Sequence, residues 1–132
     1  MEKFYVIYEN DTKEKVRKST EDTFQRFMWK KGHYRNVVIE DDYVLDVFDR
    51  NDRRAREGLS AGERQCFSLA FVIALANVTG KNAPFIVDTP LGRISRDPGE
   101  LVDPRVQILK AIPDLLGQVI LFVTYEKYNL SQ

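Results

Sequence analysis

Residues 59–77 read L-S-A-G-E-R-Q-C-F-S-L-A-F-V-I-A-L-A-N, a small-residue turn bearing a hydroxyl that opens into a segment apolar on nearly every side. Ser60 followed three residues later by Glu63 is the Ser-x-x-Glu pattern of a capping box. In it, each side chain takes the other residue's backbone N–H, so two of the donors that a helix start leaves orphaned are satisfied. Gly62 lets another chain or a ligand come close to the backbone. Two accounts of the turn compete: a well-capped core helix, or an anion site formed by first-turn amides that carry about half a positive charge. The capping box alone favours the first.

Residues further along shift the balance. After a break at Gly80–Pro84 comes F-I-V-D-T-P-L-G-R-I-S over residues 85–95, a short apolar strand ending in Asp88. A buried strand that ends in a carboxylate, one helix after a phosphate-ready turn, is where a nucleotide-bound magnesium is held. Either feature by itself is weak, but their order and spacing give the pair weight.

Those stretches carry a resemblance. Leu59–Gln65 resembles the signature motif of ABC-type ATPases, and Phe85–Asp88 their Walker B strand. The helix after the signature lacks the arginine usual in ABC transporters and is more similar to the SMC and RecF-like branch, which works on DNA. Within that branch, D-T-P-L-G-R (88–93) and V-I-L-F-V-T (119–124) most resemble the DndD family, ATPases linked to DNA phosphorothioate modification. The resemblance covers about residues 35–128. It implies an α/β fold: the C-terminal lobe of an ABC ATPase head, a largely parallel sheet with flanking helices and a preceding β-hairpin.

Composition bounds the alternatives. One domain of 132 residues can bury a substantial core. Lys plus Arg and Asp plus Glu are 20 each, so no global field draws the chain to nucleic acid or membrane, and DNA contact needs a local patch or a partner. The single cysteine, Cys66, lies in the apolar helix, which excludes an internal disulfide, fits a reducing cytoplasm and predicts a buried, inert thiol. Charged residues follow Met1 without an apolar signal region, and the run Leu69–Ala76 is too short to span a bilayer.

From the start, Lys3–Tyr8 (K-F-Y-V-I-Y) has the aromatic and β-branched content of a strand closed by Asn10 and Asp11. Residues 12–31 carry Val16, Phe24, Phe27 and Met28 at loose helical spacing, an amphipathic helix or, on the family resemblance, the last turns of a returning coiled coil. Residues 1–34 thus form an N-terminal strand and helix, and 35–132 the lobe itself. Asn36–Ile39 and Tyr43–Phe48 around Glu40-Asp41-Asp42 predict a hairpin with a solvated tip. His33 has no companion at metal-ligand spacing.

Asp49–Glu57 places four arginines among three acidic residues just ahead of the signature turn, either a solvated loop or a basic edge beside nucleotide. Further on, Gly92–Gly99 reads as loop. Asp103-Pro104 predicts the cap and first position of a helix to about Leu116, kinked or ended by Pro113. Gln118–Val123 predicts a strand buried on both faces, and Glu126 onward a short helix or tail. Helix, strand, helix, strand in that order predicts a parallel arrangement.

ATP hydrolysis on such a fold needs a Gly-rich phosphate loop with its lysine, a magnesium ligand and a group that positions water. The loop is absent from the sequence: Gly80-Lys81 is followed by Asn82, with no glycine five positions before Gly80. The resemblance therefore implies that a Walker A-bearing N-terminal lobe is the partner. The ATP and Mg cofactors would sit at a head-to-head dimer interface, with DNA in the full complex. On the same ground Ser60 and Gly62 contact the γ-phosphate of ATP held on the opposite head, Ala61, Glu63 and Ser95 complete the cofactor-binding set, and Asp88 holds magnesium through water.

Three positions depart from the ABC pattern. Thr89 stands where a water-polarising glutamate is usual, Ser95 at the D-loop aspartate and Thr124 at the switch histidine. A threonine hydroxyl is no base at neutral pH, and losing general-base help costs about 10²–10⁴ in rate, roughly 3–5 kcal/mol. Slow hydrolysis, or another carboxylate such as Glu126, is one expectation. A nucleotide-responsive clamp or scaffold with little turnover is the other. An ABC transporter fragment is disfavoured by the hairpin and by the helix composition.

Overall fold

The computed structural model describes residues 2–80, 84–88, 91–94 and 103–122. Their order is α1 (Glu2–Phe27), β1 (Tyr34–Ile39), β2 (Leu45–Asp49), α2 (Ala61–Thr79), β3 (Phe85–Asp88), α3 (Pro104–Leu115) and β4 (Val119–Phe122). The architecture is mixed α/β: three helices, an antiparallel hairpin and a parallel pair.

The strand expected over Lys3–Tyr8 does not form, because the chain is one helix from Glu2 to Phe27. No glycine or proline interrupts residues 2–31, so local β-preference at one end, worth tenths of a kcal/mol per residue, yields to a continuing helical ladder. Ion pairs at helical spacing support it, Lys15 with Asp11 at 2.7 Å and Arg17 with Glu14 and Glu21 at 2.7 and 2.9 Å. In its second half Val16, Thr20, Phe24 and Phe27 recur every three or four residues and all are buried. The buried Thr20 hydroxyl donates back to the Val16 carbonyl at 2.7 Å.

The hairpin forms as expected, with Val37 opposite Val47 and Ile39 opposite Leu45. At its tip the Glu40 N–H donates to the Val44 carbonyl and the Tyr43 N–H to the Glu40 carbonyl. Tyr43 takes a left-handed φ of 62° to close it. Helix α1 is laced to β1 through polar groups: Glu21 accepts the Val37 N–H at 2.9 Å, and Arg17 donates to the Val37 carbonyl at 3.1 Å. Phe24 then packs edge-on against Phe67 of α2, ring centres 5.0 Å apart, and against Tyr34 at 5.6 Å. Helices α1 and α2, the hairpin, Leu91, Ile94 and α3 share one core.

Helix α2 starts and stops where its residues dictate. Ser60 is the N-cap with the capping box complete on both sides. Gly80 ends the helix in the left-handed region at φ 65°, its N–H on the Asn77 carbonyl. Asp103 and Pro104 open α3 as their types predict, and the helix runs two residues past Pro113 to Leu115.

Strands β3 and β4 pair in parallel, Phe85 with Val119 through Asp88 with Phe122. Burial of both faces, expected for β4, is not observed. Val119 and Leu121 are half-buried, whereas Ile120 is 42% and Phe122 57% exposed, and Ile86 beside them on β3 is 63% exposed. On one face Phe85, Val87, Val119 and Leu121 are half-buried, and of these Val119 packs against the core. Among the described residues nothing covers the other.

Candidate functional site

The Ser60 turn is built from both of its ends. Ser60 Oγ accepts the Glu63 N–H at 3.2 Å while Glu63 Oε2 accepts the Ser60 N–H at 2.9 Å. A hydroxyl that accepts still has its own hydrogen to donate, and Ser60 is exposed. The cap therefore leaves the serine able to give a hydrogen bond outward to an anion placed over the first turn. Ala61 is exposed beside it.

Gly62 and Glu63 face inward. A Cβ at Gly62 would lie 3.1 Å from the Arg93 carbonyl oxygen and 3.3 Å from Ile94 Cα. The close approach that this glycine permits is thus made by the chain itself. Gln65 strengthens the contact, its Oε1 accepting the Arg93 N–H at 3.2 Å. Glu63 is only 5% exposed. Besides the Ser60 N–H, its Oε2 accepts the Tyr34 hydroxyl at 2.9 Å, and Lys30 Nζ stands 3.8 Å from Oε1.

These contacts set the local electrostatics. Burial, and then the Glu63 carboxylate that its hydroxyl bonds, raise the Tyr34 phenol above its ordinary range. Burial first and Glu63 second push the Cys66 thiol up to about 12, which leaves it protonated and unreactive at neutral pH, as its place in the apolar helix predicts.

Asp88 sits at the carboxyl end of the parallel pair, opposite Phe122, with its side chain exposed. Ligands of parallel α/β sheets collect outside the carboxyl ends of the strands. Magnesium keeps several waters and uses one or two carboxylates with substrate phosphates, so a single exposed carboxylate in that place suits it. Among the described residues no three His, Cys, Asp or Glu side chains converge into an all-protein metal cage. Thr89, Ser95 and Thr124, and the suggested base Glu126, lie outside the described residues. The segment Leu91–Ile94, which follows β3 in the chain, packs against the start of α2 at Gly62 and Gln65.

The arginine-rich loop ahead of α2 is partly neutralised from within. Arg53 lies 3.4 Å from Asp49, whose carboxyl is held below its usual range chiefly by the backbone N–H of Arg53. Arg54 bridges Glu40 at 2.7 Å and Asp46 at 3.0 Å. Arg54, Arg56 and Arg64 line a cavity of about 660 Å³ together with Asp46 and Glu57, a mixed surface rather than a basic patch.

Gln65 and Arg93 lie within the quoted motifs, but sequence patterning does not reach their pairing, nor that of Tyr34 and Lys30 with Glu63. Tyr34 lies 29 positions from Glu63 and Arg93 lies 28 from Gln65, and no periodicity links residues so far apart. Among the described residues no helix is long and apolar enough to cross a membrane. No family model matches the chain, and no curated protein matches it significantly.

Proposed function

We propose that this chain is the C-terminal lobe of an SMC/RecF-like ATPase head. In this reading it binds Mg-ATP at a composite interface with a Walker A-bearing lobe and acts in DNA modification, restriction or repair. The observation that carries the reading is the Ser60 turn. It is an exposed hydroxyl on a complete capping box, packed through Gly62 against the segment that follows the Asp88 strand. That segment follows the Asp88 strand in the chain, which supports reading the turn and the strand as parts of one site. The apolar face of Ile86, Ile120 and Phe122 supports a partner lobe, since parallel strands are ordinarily covered on both sides.

Here Ser60 donates its hydroxyl hydrogen to a phosphate oxygen presented from across the interface, and the first-turn amides add the favourable end of the helix dipole. That dipole contribution is about 0.3–2 kcal/mol for an anion, enough to bias closure but too little to hold ATP. Asp88 would hold the magnesium ion, which would supply charge neutralisation for the phosphates. The test is binding of Mg-ATP by the chain with and without the Walker A-bearing lobe. Affinity only in the complex is expected, and equal binding by the lone chain sinks the reading. Ser60→Arg, which replaces a small hydroxyl by a bulky side chain at the phosphate contact and sets a positive charge on the positive end of the helix dipole, is expected to abolish ATP-dependent dimerisation.

A second reading, a clamp that binds ATP and barely hydrolyses it, is favoured by Thr89 in the place of a glutamate. Turnover by the reconstituted head that is well above background and lost in Asp88→Ala rejects the clamp.

A further inference from the structure

We infer that Tyr34 is a positioning residue for the Ser60 turn, acting through Glu63; the inference rests on the reading of that turn as the phosphate contact. Glu63 Oε2 is the shared node, since the same oxygen takes the Ser60 N–H and the Tyr34 hydroxyl, each at 2.9 Å. Tyr34 is itself fixed. It is 6% exposed, its ring lies against Phe24, and its carbonyl accepts Gln25 Nε2 at 2.6 Å. Lys30 places its ammonium 3.8 Å from the other carboxylate oxygen. Lys30 and Tyr34 flank Gly32, whose φ of 71° turns the chain from α1 into β1. The connection between α1 and the hairpin therefore grips the first turn of α2 from one side, and Arg93 grips it from the other through Gln65.

A capping box on an open surface exchanges with water and frays with the helix end. This one is anchored because the carboxylate that completes it is buried and held by a second donor. Without the phenol hydrogen, Oε2 has a single partner in a place that water barely reaches. The carboxylate then swings toward Lys30 and solvent, the Ser60 N–H is released, and the hydroxyl loses its fixed direction. Small misplacements of a group that must meet a phosphate have large consequences. Any shift of α1 against α2 reaches Ser60 by this same route.

The test uses the chain reconstituted with its Walker A-bearing lobe, reading Mg-ATP-dependent head dimerisation and, separately, Mg-ATP affinity of the undimerised head. Tyr34→Phe keeps the ring and removes one hydrogen bond to a charged group. It should weaken dimerisation about tenfold or more and leave the affinity of the single head unchanged, because Ser60 serves the opposite nucleotide. Glu63→Ala should weaken dimerisation at least as much, and adding Tyr34→Phe to it should do nothing further, the mark of two residues acting as one unit. Ile108→Val, a core trim in α3 that lowers thermal stability without touching the turn, should dimerise like the wild type. Dimerisation unaffected by Tyr34→Phe, additive effects of the two substitutions, or equal weakening by Ile108→Val overturns the assignment of Tyr34 while the reading of Ser60 stands. A wild-type complex that binds Mg-ATP and never dimerises removes that reading, and the role of Tyr34 with it.

Discussion

At the scale of single residues, burial decides the protonation of Cys66, and through it a pH dependence of folding. Its thiol is pushed up to about 12 by loss of water and, secondarily, by Glu63. In the unfolded chain a cysteine titrates near 8.5. Above that value the unfolded state gives up its proton while the folded state keeps it, so the contribution is complete below about pH 8.5 and declines toward pH 12. We expect the unfolding free energy to fall by about 2 kcal/mol between pH 8 and 10. Denaturant titrations at several pH values should show that slope, and Cys66→Ala should lack it. A wild-type profile as flat as the variant's would contradict the shift. Tyr34 adds to the same trend at higher pH, since its phenol is also raised. The burial of Cys66 was legible in its apolar surroundings along the chain. The second use of Glu63 was not, because a capping box predicts where one carboxylate oxygen goes and says nothing of a phenol 29 positions away.

At the scale of elements, α2 was the most legible part of the molecule because its ends carry their own chemistry: Ser60 and Glu63 at one, Gly80 at the other. The hairpin followed from β-rich runs around a polar tip, and α3 from Asp103-Pro104. The first residues misled because aromatic and β-branched side chains describe a strand only where a neighbouring strand can pair with them. Residues 3–8 instead continue a 26-residue helix stabilised by its own ion pairs and, further along, by its buried face. How α2 meets the segment after β3 could not be read at all, although its tolerance for change is predictable now. Gly62→Ala improves intrinsic helix propensity by up to about 1 kcal/mol, yet puts a Cβ 3.1 Å from a backbone oxygen and 3.3 Å from a backbone carbon. Backbone atoms yield less readily than side-chain tips. A net loss of about 1–3 kcal/mol is therefore expected, read as a fall in the denaturation midpoint. Gly58→Ala is the comparison: its Cβ would meet only the Ala55 carbonyl, at an ordinary 3.5 Å, so it should be nearly silent. A stabilised Gly62→Ala protein would mean that α2 and residues 93–94 lie further apart than described.

At the scale of the whole molecule, the parallel pair has one half-buried face, with Val119 against the core, and an apolar face that the described residues leave open. The sequence reads such strands as buried on both sides because their apolar runs are continuous; that pattern reports what a strand is suited to, not what covers it. Full burial of a side chain such as Ile or Phe is worth about 1.5–3 kcal/mol, so three of them side by side are a substantial incentive for a partner lobe. If Ile86 and Phe122 are kept for that lobe, exchanging them should cost the lone chain little and the complex much. Ile86→Thr with Phe122→Thr keeps residues suited to strands at both positions and removes the apolar surface. The expected outcome is a melting temperature of the isolated chain within a few degrees of wild type, alongside binding to the Walker A-bearing lobe weakened about a hundredfold or more. The comparison separates two explanations of the same exposed residues. A large fall in the melting temperature of the isolated chain would show that these side chains already serve the fold of the lone chain, and unchanged binding would place the lobe elsewhere.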